Sequence, residues 1–208
     1  SSFVVYLGDN LLQNGITKYR EKFEENDYDA MILLKRVEDP RSFGVAVIKE
    51  NKIVSLIEKP KEFISDLALT GIYFLKPSIF NIIKGLKPSK RGELEITDAL
   101  SVMVKSGYKV GYEIVDGWWL DTGKKDDIIL ANQLVLDEKI NGRKIKENVV
   151  IKESKIEGRL EIGENTLIEN SIIRGPLIIG KSVEIRNSFI GPYTSIGNNA
   201  KIIESEIE

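Results

Sequence analysis

The apolar positions of this chain keep two different rhythms. Over the last third, eleven isoleucines from Ile151 to Ile207 recur on steps of five, six and six, so that every seventeenth residue is equivalent. Ser154, Ser171, Ser188 and Ser205 keep the same interval, as do Gly163, Gly180 and Gly197, so whole coils repeat and not apolar positions alone. A six-residue step supplies one short strand and one corner, and three steps return the chain about 4.8 Å above its start. The pattern predicts a stacked parallel β-solenoid with equivalent isoleucines piled inside it. The Gly and Asn of GENT, GPYT and GNNA supply the turn conformations that bulkier residues resist. Antiparallel amphipathic strands, the competing reading, would show irregular spacing and hairpin signals between longer alternating runs. The spacing does not set handedness.

The preceding residues alternate strand and helix. FVVYL (3–7) is a continuous apolar run of the kind a strand buried on both faces shows, with GDN as the turn after it. Residues 14–26 read as a helix with Ile16, Tyr19 and Phe23 on one side, and AMILLKRV (30–37) as the next buried strand. GVAVIKENKIVSLIEK is two alternating runs about Glu50 and Asn51, a hairpin. ALTGIYFL is a further strand, followed by a helix that Pro77 opens. A helix over 93–106 ends at Gly107, YKVGYEIV leads to GWWLDTG, and 124–139 is helical before the INGRK boundary. The expected architecture is α/β: a layered domain over 1–142 with a mixed, mostly parallel sheet, then a solenoid over 143–208.

Composition narrows the function classes. The 208 residues are 42% hydrophobic with a net charge of −2, enough apolar content for a core and no basic stripe that would suit nucleic acid. No apolar run is long enough to cross a bilayer and no signal peptide is visible, which predicts a cytoplasmic setting without a membrane partner. Cysteine and histidine are both absent. Disulfides, thiolate or imidazole zinc sites and His-based nucleophile systems are thereby excluded within these residues, and a metal would need oxygen ligands, which favours Mg²⁺. Abundant Lys, Glu and Ile without Cys suit a thermophilic source.

Candidate chemistry lies at strand ends. Asp9 of LGDN and Asp121 of WLDTG fall beyond carboxyl ends of strands, where open α/β sheets collect ligands, and two such carboxylates could share one Mg²⁺. Either alone could equally make an Asx-turn or cap a helix. Glu58 and Lys59, before Pro60, pair an acceptor for sugar hydroxyls with a point charge for phosphate, or form an exposed ionic turn. Gly44 and Gly71 interrupt strand patterns, marking either close approach of a ligand or a bulge. Arg91 precedes a helix and could reach a second phosphate or stay solvated; of Trp118 and Trp119, one could wall a sugar or base and one belongs to the core.

LGDN, the FGV strand, IEKP, LALTGIYF, RGELEITDAL and WWLDTG, in this order and spacing, resemble the sugar-1-phosphate nucleotidylyltransferases, and within them the long-form glucose-1-phosphate thymidylyltransferases. The resemblance covers essentially the whole chain. It implies a partial Rossmann-like nucleotidyltransferase domain followed by a left-handed parallel β-helix. The implied reaction joins glucose 1-phosphate to dTTP, giving dTDP-glucose and pyrophosphate. It further implies Asp9 and Asp121 as Mg²⁺ ligands, Asn10 against the sugar nucleotide, and Gly44, Glu58 and Leu69 on the sugar, with Gly71 beside them. Lys59, and secondarily Arg91, would contact the sugar phosphate as catalytic cations.

That family opens with a GGxGTRLxPxT-type loop around the triphosphate, which does not occur here. The expectation is therefore an acceptor half, inactive alone, that needs a complementary N-terminal segment and assembles as a homo-oligomer, with both ends of the sequence reading as cut. UTP- or ATP-dependent pyrophosphorylases and a non-catalytic assembly module are the alternatives. Acyl transfer by the solenoid ranks last, because no histidine is present.

Overall fold

A computed structural model describes residues 1–208. The chain divides into two compact units, Ser1–Thr122 and Gly123–Glu208, a boundary that falls earlier than the one read from the repeat.

The first unit is built on a six-stranded sheet. Its strands are β1 (Phe3–Tyr6), β3 (Ala30–Arg36), β4 (Gly44–Lys49), β5 (Lys52–Glu58), β6 (Leu67–Leu75) and β7 (Val110–Ile114), in the order β5-β4-β6-β3-β7 with β1 also on β6. A separate two-stranded ribbon joins β2 (Asn10–Leu12) to β8 (Trp119–Asp121). Helices α1 (Thr17–Glu25), α2 (Ile79–Lys84) and α3 (Ile96–Lys105) complete the unit. The apolar runs of β3 and β6 are buried on both faces, with Ala30 to Leu34 at 0% exposure, because they occupy the middle of the sheet. Glu50 and Asn51 both take positive φ, the conformation that a two-residue hairpin between twisted strands demands.

Two expectations are corrected. The sheet is mixed, but only β3 and β7 pair in parallel; β1–β6, β3–β6, β4–β5 and β4–β6 are antiparallel. A hairpin, not a helix, lies between β3 and β6 in the chain, so the direction reverses where alternation of strand and helix would have kept it. FVVYL is not buried on both faces either: Val4, Tyr6 and Leu7 are exposed, because β1 has a strand neighbour on β6 alone.

One feature of β6 locates the functional region. Opposite β3 it carries a bulge, with Ile32 paired to Tyr73 and Leu34 to Leu69, and Gly71 at φ +74 sits within it. On its other edge, β1 stops at the Tyr6–Ile72 pair and β4 begins at the Val45–Ala68 pair. Leu69 and Thr70 therefore lie in a gap between two strands that share one edge, bounded by Gly71, whose carbonyl accepts from Leu7 N at 3.1 Å.

The second unit begins with α4 (Lys125–Lys139) and continues through twelve short strands, β9 (Arg143–Ile145) to β20 (Glu206–Ile207), stacked as three parallel ladders. Every pairing joins residues seventeen apart, as in Ile151–Ile168, Ile156–Ile173 and Ile162–Ile179. The solenoid expectation is met in register and in core: Ile162, Ile168, Ile173, Ile179, Ile185 and Ile190 are buried, whereas Ile151, in the first coil, is 38% exposed for want of a rung below it. Two corners are left-handed at equivalent positions, Asn148, Asn165, Ser182 and Asn199 at one and Glu153, Asn170, Asn187 and Glu204 at the other. Asn recurs there because it tolerates that backbone best among residues with a side chain. At the third corner, Arg159 bonds Asp137 and the Ile140 carbonyl, and Tyr193 O and Ser195 Oγ bond Asn132, which ties α4 to the coils.

Candidate functional site

The gap on β6 is the floor of a cleft of about 300 Å³ in the first unit. The β4–β5 hairpin delivers Gly44 and Glu58 to it together, since they are register partners at one end of that ladder. Lys59 follows, its backbone N–H donating to Phe43 O at 3.0 Å. The β2–β8 ribbon brings the two aspartates: Asn10 pairs with Asp121, and Asp9 precedes it. Of the residues singled out from sequence, Asp9, Asn10, Gly44, Glu58, Lys59, Leu69, Gly71 and Asp121 all line this cleft.

Each is held by specific contacts. Glu58 Oε2 accepts from Thr97 Oγ1 at 2.5 Å, and Thr97 is buried in the first turn of α3. A Cβ added at Gly44 would lie 3.0 Å from both of those oxygens, so the glycine makes room for the carboxylate. Asp9 O accepts both the backbone N–H and the hydroxyl of Thr122, at 2.7 and 2.8 Å, which couples the Asp9 turn to the residue after Asp121. At Gly71 the bulge reading holds, and its missing side chain makes room for Leu7 and Asn10, whose atoms a Cβ would meet at 2.8 and 3.0 Å. Burial pushes the Tyr73 hydroxyl above its ordinary pKa, with the Glu58 carboxylate adding to the effect, so the phenol stays a donor at neutral pH.

Arg91 stands apart from the lining residues. Its guanidinium ion-pairs with Glu58 at 3.5 Å, Glu93 at 3.0 Å and Glu95 at 3.4 Å, and so neither lies loose in solvent nor faces the cleft uncommitted. Trp119 is the buried indole of the tryptophan pair, edge-on to Phe43 with ring centroids 5.2 Å apart. Thr97, Tyr73, Phe43 and Glu95 also line the cleft and were not singled out from sequence. Thr97 lies within RGELEITDAL, two residues after its Glu95, and that position was the available signal.

No three acidic side chains are grouped so as to hold a metal ion by themselves. Asp9 and Asp121 nevertheless fit a hard divalent cation by the chemistry of their donors, two carboxylates on one cleft, with substrate and water oxygens left to complete the coordination. Its chemistry and not its size sets this cleft apart. A larger groove of about 720 Å³ along β7 is lined by Tyr28, Tyr108 and Tyr112, and its carboxylate, Glu113, is bonded to Lys22 at 2.8 Å. No helix is long and apolar enough to cross a membrane.

Comparison with known proteins assigns the chain to a family. Residues 1–138 match the nucleotidyl transferase family. A low-salt glycan biosynthesis nucleotidyltransferase of Haloferax volcanii is 45% identical over 161 residues, covering 77% of this chain and 44% of that protein. A glucose-1-phosphate thymidylyltransferase of Streptomyces antibioticus is 41% identical over 166 residues, covering 77% and 45%. Among solved structures, a Bacillus anthracis protein assigned as a glucose-1-phosphate thymidylyltransferase, crystallised with sucrose, superposes with a TM-score of 0.59 at 44% identity, over 69% of this chain and 57% of that one. The chain thus spans under half the length of the curated relatives it matches.

Proposed function

The chain belongs to the nucleotidyl transferase family, and from that premise we propose that it carries the sugar-phosphate and cation-holding side of a nucleotidyl transfer. A phosphate oxygen of glucose 1-phosphate attacks the α-phosphorus of dTTP, forming the phosphoanhydride of dTDP-glucose as the α–β phosphoanhydride of dTTP breaks and pyrophosphate leaves. The observation that supports this reading is the convergence on one cleft of Asp9, Asp121, Glu58 and Lys59 from three separate parts of the first unit.

Glu58 is the sugar-recognising acceptor: Thr97 bonds Oε2 and Arg91 lies 3.5 Å from Oε1, and the lone pairs left on the two oxygens suit sugar hydroxyls. The edge of β6 at Leu69 and Thr70 and the backbone of Gly44 offer further main-chain contacts of the kind that place a sugar without charge. Lys59 supplies a point charge for the sugar phosphate. Arg91 reaches a second phosphate only by leaving Glu58, Glu93 and Glu95, which makes it the secondary cation. Asp9 and Asp121 would hold Mg²⁺, and when bound the ion neutralises phosphate charge and orients the reacting oxygens. The thymine base rests on the relatives, with UTP and ATP as the alternatives to discriminate.

Calorimetric titration of glucose 1-phosphate in Mg²⁺ tests the reading, followed by pyrophosphate release with dTTP, UTP and ATP in turn. Saturable binding is expected, weakened at least tenfold by Glu58→Gln and by Lys59→Ala. Equal binding by wild type and both variants would refute it.

A further inference from the structure

The indole of Trp119 donates from Nε1 to Asn10 Oδ1 at 2.8 Å, and Asn10 Nδ2 donates in turn to Asp9 Oδ1 at 2.8 Å. The direction of this chain of bonds is set at both ends, by an indole that can only donate and a carboxylate that can only accept. An indole N–H can only donate, so Asn10 must present its carbonyl oxygen to Trp119 and its amide hydrogens to the other side. There they meet the carboxylate of Asp9. The amide is 6% exposed and the indole 9%, which leaves little water to substitute for either partner. Gly71 closes the remaining side, since a Cβ there would lie 3.0 Å from Asn10 Nδ2.

An asparagine amide has two ends of nearly equal size and would otherwise fit this enclosure in either sense. Turned over, it would set a carbonyl dipole against the Asp9 carboxylate and leave two N–H groups facing an indole that cannot accept. The Asp9 carboxylate and the Trp119 donor select the same sense of the amide, and loss of the indole N–H removes the donor that anchors its carbonyl end. Phe43, edge-on to the indole, holds the ring in place.

We propose that Trp119 is a positioning residue for the cation site: through Asn10 it holds the Asp9 carboxylate in the orientation in which it binds a divalent cation. This rests on the reading of Asp9 as a cation ligand. The role is carried by the indole N–H and not by the ring surface, so Trp119→Phe, which keeps a ring against Phe43, isolates it.

The test is Mn²⁺ binding by the whole chain, followed by water-proton relaxation, with thermal unfolding recorded for each variant. Trp119→Phe is expected to weaken Mn²⁺ binding roughly tenfold, the usual scale for an orienting group behind a ligand. Phe23→Leu, in the same apolar cluster but outside the bonded chain, is expected to lower the unfolding temperature and leave Mn²⁺ affinity unchanged. Unchanged affinity in Trp119→Phe would overturn the proposal while leaving Asp9 as a ligand; absence of Mn²⁺ binding by wild type would overturn both. Should Trp119→Phe not fold, the wild-type Asn10 amide decides. Its side-chain N–H resonances are expected to shift on adding Mg²⁺, and a cation that binds without moving them would overturn the assignment.

Discussion

Thr97 gives its hydroxyl hydrogen to Glu58 across 2.5 Å, joining the first turn of α3 to the last residue of β5 beneath the candidate sugar pocket. Gly44 faces both oxygens. The carboxylate is thus held from one side by a donor and from the other by the lack of a side chain.

Gly44→Ala should displace that carboxylate, because the new methyl would sit 3.0 Å from Glu58 Oε2 and from Thr97 Oγ1. Glucose 1-phosphate affinity is expected to fall about tenfold, equivalent to about 1.4 kcal/mol, close to the lower end of what a hydrogen bond to a charged group contributes. Calorimetry checks this, and wild-type affinity would mean that Glu58 does not hold the sugar.

Lys59 takes φ +39 directly before Pro60, although a residue preceding proline is pressed toward extended backbone. A left-handed non-glycine residue stores about 1–3 kcal/mol, and glycine gives back about 0.5–1 kcal/mol in chain entropy. Lys59→Gly should therefore raise stability by about 1 kcal/mol in urea unfolding while losing glucose 1-phosphate affinity. A variant less stable than wild type would show that Lys59 is not strained.

In the solenoid, each ladder serine accepts the backbone N–H of the serine one coil on: Ser171 N to Ser154 Oγ at 3.0 Å, Ser188 N to Ser171 Oγ at 3.1 Å, Ser205 N to Ser188 Oγ at 3.1 Å. Ser171→Ala strands the buried N–H of Ser188 and should cost about 1–3 kcal/mol. Ser205→Ala, exposed at the last rung and accepting from no further serine, should cost less. Equal losses in chemical denaturation would contradict the ladder.

Ion pairs follow the same interval on the solenoid surface: Glu157 with Arg174, Glu164 with Lys181, Glu184 with Lys201. Hydrogen bonds from Lys155 and then Arg174 lower the Glu157 pKa below its ordinary value of 4.5, and Lys181 and Lys201 do the same, as the largest cause, for Glu164 and Glu184. Groups with depressed folded-state values stabilise fully above about pH 4.5 and lose that contribution as pH falls through the folded value. The solenoid should lose thermal stability from pH 6 to pH 3, less steeply in Glu157→Gln and at high salt. A pH response identical in wild type and variant would remove these pairs from the account.

The legible parts of the fold are those in which one residue's environment repeats or is local. The hairpin showed itself in two alternating runs about Glu50 and Asn51, and the solenoid in the seventeen-residue interval, because parallel stacking turns sequence offset directly into register. The cleft residues Asp9, Glu58, Lys59 and Asp121 were found through strand-end position and resemblance of motifs. Thr97 escaped notice because its bond to Glu58 spans 39 residues, and the three carboxylates on Arg91 could not be read from a basic residue before a helix.

The sequence by itself determined the coil interval, the isoleucine core, the alternation of elements and the residue types capable of holding phosphate, sugar and a hard cation. Only the tertiary structure decided that β1 lies at an edge with one apolar face exposed, that β3–β7 is the single parallel pair of the main sheet, and that Trp119 bonds Asn10 across 109 residues. The reason is physical. Periodicity records which face of an element is apolar, whereas pairing direction, edge position and the direction of a buried hydrogen bond depend on which distant element arrives beside it.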